Sequence, residues 1–310
     1  MKICLIDAGI FIEKDELLDP LRKIGEVEVF NDIPENLDEV VRRGGDADVI
    51  AFGLMQFNNE MIDNLPKLKV LQFIGTGVWN FVDVDYAESK GIKVLNIDGY
   101  GSNAVAEFAV SMALSLARNI PMANSIVKSS QWTIEGLKGM EIAGSTVGIA
   151  GTGNIGRCAA EKFIGLGANV IACDIFENDY LKEKYGIKYV SMEELFEKSD
   201  IISLHMKVTK DNERAIDKKY FDSMKENALL INVARAELVN TKDLYDSLTS
   251  GKLAGAAIDV YDAEPPTESD MKLALLPSVI ASPHIGYYTQ EANDNSIKMT
   301  VDSILKALNA

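Results

Sequence analysis

The chain contains two histidines, His205 and His284, and three cysteines, Cys4, Cys158 and Cys173. Imidazole titrates near neutral pH, so a histidine serving as acid, base or ligand is one of those two. A multi-histidine metal centre has too few ligands, and no metal is expected. The thiols are odd in number, unpatterned and set in apolar runs, which suits reduced cysteines in a cytoplasmic protein rather than disulfides or zinc. The most specific chemistry lies in Gly151-Thr152-Gly153-Asn154-Ile155-Gly156, after a strand-like run at 146–150 and before a helical stretch at 157–166. In such a loop the first glycine makes the tight turn and the second lets backbone approach a pyrophosphate. The third lets helix and strand pack closely. Asp174 ends the next strand-like run, 174 − 156 = 18 residues after the last glycine. That places a carboxylate where a ribose hydroxyl is expected. No arginine follows in Ile175-Phe176-Glu177-Asn178 to meet a 2′-phosphate, so NAD is expected rather than NADP.

These residues need a scaffold. Short β-type runs alternate with amphipathic stretches along all 310 residues, the pattern of parallel sheets with crossover helices. Strands are expected at 2–6, 27–30, 49–52, 70–74 and 93–95, with helices at 15–24, 60–65 and 84–90. A long alanine-rich helix follows at 102–118, capped by Ser102 or Asn103 and stopped before Pro121. A second βα series has strands at 146–150, 169–173, 201–204, 229–232, 255–258 and 279–281, and a helix at 291–308 closes the chain. The composition is 47% hydrophobic and 25% charged, ordinary for a globular α/β protein with an adequate core. A net charge of −16 disfavours nucleic acid and anionic membrane as partners, yet one arginine or one helix end can still hold a small anion. The opening apolar run is too short for a signal peptide, and no stretch approaches the ~18–20 apolar residues of a membrane span.

Four segments follow the glycine loop in order: Asn232-Val233-Ala234-Arg235-Ala236-Glu237-Leu238-Val239, Ala257-Ile258-Asp259-Val260-Tyr261, Ala263-Glu264-Pro265, and Ser282-Pro283-His284-Ile285-Gly286. With Gly75-Thr76-Gly77 and Trp132 they resemble the D-isomer-specific 2-hydroxyacid dehydrogenase family over nearly the whole chain. The resemblance implies two doubly wound parallel-sheet domains joined by long helices. One is a Rossmann NAD-binding domain at 101–285. The other is a discontinuous flavodoxin-like substrate domain, residues 1–100 plus 286–310.

The family's reaction gives each residue a reason. Reducing a 2-keto acid needs a proton for the developing alkoxide, a cation for the carboxylate and a dry, oriented site. The resemblance implies His284 as proton donor, Glu264 as its partner and Arg235 as the fork that binds carboxylate and carbonyl. It places Gly75, Thr76, Gly77 and Val78 at the substrate carboxylate, with Asn103 and Glu107 lining the cleft. Asp259 is implied at the nicotinamide carboxamide, and Val233, Ala234 and His205 beside the cofactor. The chain departs from the family pattern at Ala236, where glycine is usual, and at Lys207-Val208, where proline-leucine is common. A 78–83 loop one residue longer brings in Trp79 and Phe81. A hydroxypyruvate-, glyoxylate- or broader 2-keto acid reductase is therefore expected. A D-3-phosphoglycerate dehydrogenase and an NADH-sensing corepressor-like binding protein are the alternatives. Closure of the two domains over substrate and a homodimer formed through the 102–118 helix are also expected.

Overall fold

Short runs of two to five residues, most of them apolar or β-branched, make the strands, and residues 1–308 are described by the computed structural model. The chain divides into two units, Met1–Gly101 with the segment from Tyr288 onward, and Ser102–Tyr287. In the first, β1 (Lys2–Leu5), β2 (Glu26–Val29), β3 (Val49–Phe52), β4 (Val70–Phe73) and β5 (Lys93–Leu95) form an all-parallel sheet ordered β2-β1-β3-β4-β5. This is the flavodoxin-like order. Central β3 and β4 are buried at every position, as a parallel sheet covered on both faces requires. Edge strand β2 reads Glu-Val-Glu-Val and is partly exposed, its charges discouraging pairing with another chain. Phe52 meets Phe57 and Phe73 stacks on Phe81, their ring centroids 4.9 and 4.5 Å apart, within a core that also holds Ile6, Ile50 and Leu71.

Arg43, only 2% exposed, crosses this unit from the Leu37–Gly44 helix. It donates to the carbonyls of Ile6 and Asp32, at 2.9 and 2.6 Å, and to the carboxylates of Asp32 and Glu39, at 2.8 Å each. A buried guanidinium needs such partners, and these tie the end of β1 to the helix covering it. The closing helix, Gln290–Leu308, packs on β4 within the same unit.

The second unit carries β6 (Thr146–Ala150), β7 (Asn169–Cys173), β8 (Lys188–Tyr189), β9 (Ile201–Leu204), β10 (Leu229–Asn232), β11 (Gly255–Ile258) and β12 (Val279–Ala281). Their order, β12-β11-β10-β9-β6-β7-β8, is the Rossmann order extended by one strand, again all parallel. The Ser102–Ala117 helix buries Ala106, Ala109, Met112, Ala113 and Ala117, a helical spacing that forms one face. That face packs on β10, β11 and the Asn154–Gly165 helix, whose own Gly156, Ala159, Ala160 and Phe163 are buried. Small side chains on both helices permit the close approach.

Two local readings of the sequence need correction. The helix expected at 15–24 is a 3₁₀ turn, Asp15–Leu18, followed by a new helix, Asp19–Arg22, because Pro20 lacks an amide and fits only a first turn. The long helix ends at Ala117, before Pro121 as expected, and Pro121 itself lies in the first turn of a further helix, Ile120–Lys128. Asn103 does not cap that long helix. It lies inside its first turn, donating to Glu107 and accepting from Lys162. Among the described residues no helix is long and apolar enough to cross a membrane, and no cluster of His, Cys, Asp and Glu could hold a metal ion.

His205 follows β9. Its Nε2 meets Ser203 Oγ at 2.9 Å, while its buried Nδ1 has no hydrogen-bond partner among the described residues. Burial pushes this imidazole down to about 4, so it is neutral at pH 7. Between pH 6.5 and 4 the unfolded chain binds a proton that the folded chain refuses, so the group costs stability as pH falls through that window. His205→Asn should therefore flatten the acid side of the stability curve by up to about 3 kcal/mol. Urea midpoints at pH 7 and 4.5 measure this, and equal slopes in variant and wild type would refute it.

Candidate active site

The glycine loop joins β6 to the Asn154–Gly165 helix, at the carboxyl ends of the strands. Gly151 has φ +91°, and a Cβ there would lie 2.8 Å from the His205 carbonyl carbon. A Cβ on Gly156 would lie 1.8 Å from the Gly151 carbonyl oxygen, so backbone packs directly on backbone. A Cβ on Gly153 would meet nothing within 4 Å. The loop is thus closed at its first and third glycines and open at the second, where a pyrophosphate would come against the helix N-terminus. Asp174, just past β7, accepts from Thr152 N at 2.5 Å and from Phe176 N at 3.0 Å. Tyr189 OH donates to Thr152 Oγ1 at 2.9 Å, and Asn178 Nδ2 reaches the Thr152 carbonyl at 3.3 Å. An open glycine cradle, a nearby carboxylate and the unpartnered Nδ1 of His205 beside the loop fit a dinucleotide. Asn154–Gly156, Asp174 and His205 would hold it, with Ile175 and Phe176 exposed alongside.

Arg235, Glu264 and His284 come from loops beyond β10, β11 and β12. His284 Nδ1 lies 2.7 and 2.9 Å from the two Glu264 oxygens, so its Nε2 is the nitrogen left for another partner. Burial pushes the Glu264 carboxyl up, but the His284 hydrogen bond and charge, the Tyr261 amide and Arg235 outweigh it. The result is a carboxyl below its ordinary range, hence an anion at neutral pH. Arg235 has an extended backbone and donates Nη1 to the Ala234 carbonyl at 2.7 Å. No other guanidinium hydrogen has an acceptor among the described residues. Its turn is braced by Asn232, which donates to the Arg235 carbonyl at 2.9 Å and accepts from Ala234 N at 3.1 Å. Val233 is buried beside it.

Asp259 is 2% exposed, and both of its oxygens serve the histidine loop. Oδ1 accepts from Ser282 Oγ at 2.5 Å and Ile285 N at 3.0 Å, and Oδ2 from Gly286 N at 2.8 Å. His284 itself sits at φ +55°. The carboxylate expected at the cofactor's carboxamide is thus fully engaged within the chain. Sequence reasoning passed over Asn232, Ser282 and Tyr261, whose hydroxyl donates to the Ser282 carbonyl at 3.0 Å. All three lie inside quoted motif segments, and that adjacency was the available signal. Asn103 and Glu107 meet Lys162 rather than the Arg235–His284 group.

In the first unit, the loop after β4 turns through Gly75-Thr76-Gly77 into a short 3₁₀ turn, Val78–Asn80. The amides of Thr76, Gly77 and Val78 have no acceptor among the described residues, although Gly75, Gly77 and Val78 are buried. Successive unpaired amides of this kind form a cradle for an anion. No lysine or arginine occurs between Leu71 and Asn80.

Residues 110–286 match the family model of the D-isomer specific 2-hydroxyacid dehydrogenase NAD-binding domain. An aromatic 2-oxoacid reductase of Clostridium sporogenes is 38% identical over 259 residues, covering 79% of this chain and 77% of that protein. A hydroxypyruvate reductase of Thermotoga maritima is 35% identical over 273 residues, 87% of this chain and 88% of its own. A D-3-phosphoglycerate dehydrogenase of Methanocaldococcus jannaschii is 35% identical over 93% of this chain, which spans only 54% of that protein. Among solved structures, the D-lactate dehydrogenase of Escherichia coli superposes with a TM-score of 0.87 at 26% identity, covering 100% of this chain and 97% of that one. The chain belongs to the D-isomer specific 2-hydroxyacid dehydrogenase family of NAD-dependent oxidoreductases, and its second unit contains the family's NAD-binding domain.

Proposed function

We propose that the protein interconverts a small 2-keto acid and its D-2-hydroxy acid, with His284 as the proton donor and acceptor. The observation that carries this reading is the 2.7 Å contact between His284 Nδ1 and Glu264, which leaves Nε2 to face substrate. The bound nicotinamide supplies or accepts the hydride. In reduction, His284 Nε2 gives its proton to the carbonyl oxygen as that oxygen gains charge. Glu264, held ionised, stabilises the imidazolium before transfer and fixes which nitrogen points outward. Arg235 uses its uncommitted donors on the substrate carboxylate and carbonyl. Within the first unit, the amides of Thr76, Gly77 and Val78, with Gly75 allowing the turn, form a cradle that suits a carboxylate. An overall charge of −16 does not oppose this, because these donors act at hydrogen-bond range.

The relatives support a 2-keto acid substrate, two of them carrying the names hydroxypyruvate reductase and aromatic 2-oxoacid reductase. The lack of a cation between Leu71 and Asn80 favours an unphosphorylated acid over 3-phosphohydroxypyruvate. NADH oxidation should therefore be seen with one or more of glyoxylate, hydroxypyruvate, pyruvate and phenylpyruvate. 3-Phosphohydroxypyruvate should be the poorest of the panel, and NADPH a weaker donor than NADH. Binding of NADH without turnover of any acid would sink the enzymatic reading and leave an NADH-sensing one.

His284→Gln should lower kcat by roughly 10²–10⁴-fold with NADH affinity little changed. Glu264→Gln removes the anion that favours the imidazolium, and reduction needs that protonated form. Reduction by this variant should consequently slow by about tenfold or more in kcat, with NADH affinity little changed. Stopped-flow rates of reduction read both variants, and an unchanged kcat in Glu264→Gln would remove Glu264 from the role.

The protein is further inferred to be a homodimer, through the segment after the long helix rather than through the helix itself. The Ile120–Lys128 helix buries no residue, and Ile120, Val127, Trp132 and Ile134 lie exposed, the last two at 91% and 88%. An exposed apolar patch of this kind is the usual mark of a contact surface. Sedimentation velocity should give a dimer for the wild type and a monomer for Trp132→Glu. A wild-type monomer at micromolar concentration would overturn it.

A further inference from the structure

We propose that Arg214 is a positioning residue that fixes the spacing between Arg235 and the Glu264–His284 pair, an inference that rests on the reaction proposed above. Arg214 touches none of the three groups, yet it joins the segments that carry two of them. Nη1 donates to the Val239 carbonyl at 2.7 Å, the Ala236 carbonyl at 3.3 Å and Thr241 Oγ1 at 3.4 Å, gathering the turn that follows Arg235. Nη2 donates to Asp262 Oδ1 at 2.7 Å, two residues before Glu264. Thr241 Oγ1 closes the ring by donating to Asp262 Oδ2 at 3.1 Å.

The backbone of Arg214 takes part as well. Its amide donates to the Glu237 carbonyl at 2.7 Å, and Ile216 N donates to the Leu238 carbonyl at 3.1 Å. Arg214 sits at φ +54°, a conformation unfavourable for a side-chain-bearing residue and kept here by those two bonds. The guanidinium and the Asp262 carboxylate thus bridge the turn after Arg235 and the segment before Glu264 directly. A planar fork reaches two carbonyls and a carboxylate together, whereas a lysine ammonium on a flexible stem cannot hold the same three directions at once.

The reaction needs the carboxylate-binding arginine and the proton donor at fixed separation, and small misplacement is costly. The test uses the full-length protein with NADH and whichever 2-keto acid the panel shows to be turned over. Arg214→Met should lower kcat by about tenfold or more per NADH-binding site, as counted by NADH fluorescence titration. NADH affinity should stay within about threefold, because the glycine loop lies on other strands. Arg214→Lys should recover only part of kcat, and Asp262→Asn should lower it in the same sense. Added to Glu264→Gln, Arg214→Met should cost less than about threefold more, since both act through one geometry. Should Arg214→Met fail to fold, Arg214→Lys and Asp262→Asn decide the matter alone. Unchanged kcat per NADH site in the folded variants, or full additivity with Glu264→Gln, would make Arg214 a stabilising residue only and overturn the proposal. Failure of the wild type to turn over any acid is a separate result, and it removes the reaction itself.

Discussion

The geometry of the candidate site depends on the Asp259 carboxylate. Buried at the end of β11, it accepts from Ser282 Oγ, Ile285 N and Gly286 N, and so grips the chain on both sides of His284. The histidine backbone at φ +55° costs about 1–2 kcal/mol relative to a right-handed conformation. Each hydrogen bond to a charged acceptor contributes about 1.5–3 kcal/mol, so three of them outweigh that strain. Gly286 allows the grip, since a Cβ there would lie 2.9 Å from Asp259 Oδ2. With the loop held, the imidazole edge faces Glu264, and the ionisation of that carboxyl follows.

Much of this was legible in the chain itself. Eleven of the twelve strands announce themselves as short apolar or β-branched runs, and the glycine loop carries its own spacing. The missing strand, β8, is two residues long, Lys188–Tyr189, and exists only because β7 offers an edge. No local pattern marks such a strand. Prolines misled for a related reason. A helix is expected to run straight through Pro20, and Pro121 is expected only beyond a stop, but each occupies a first turn where its missing amide does no harm, so each begins a helix.

The site was legible as a set of residue types, less so as a set of partners. His284 and Glu264 are 20 residues apart in sequence and 2.7 Å apart in space, and nothing in periodicity brings them together. Only the order of the segments suggested it. Arg214 carries no motif at all. It is one arginine in a polar loop, and the four acceptors of its guanidinium come from two other segments. The same holds for the amides after β4, because a sequence cannot show which backbone donors remain unpaired.

Asp7, Asp174 and Asp259 show why the carboxylates were hardest to assign. Each stands just beyond a parallel strand, β1, β7 and β11, at the edge where loops and helix N-termini present their free amides. Asp7 accepts from Gly53, Leu54 and Met55 at 2.6–2.9 Å, Asp174 from Thr152 and Phe176, and Asp259 from Ile285 and Gly286. For Asp7, burial raises the carboxyl and the three amides oppose that rise, so the loop after β3 is fastened by the same device as the histidine loop. A parallel sheet gathers donors at one edge, and a carboxylate placed there is well positioned to hold the protein's own loops or a ligand. Composition and spacing do not separate the two uses, and in this chain all three carboxylates hold the protein's own loops: Asp174 accepts from the Thr152 amide and hydroxyl and from the Phe176 amide, as Asp7 and Asp259 accept from theirs.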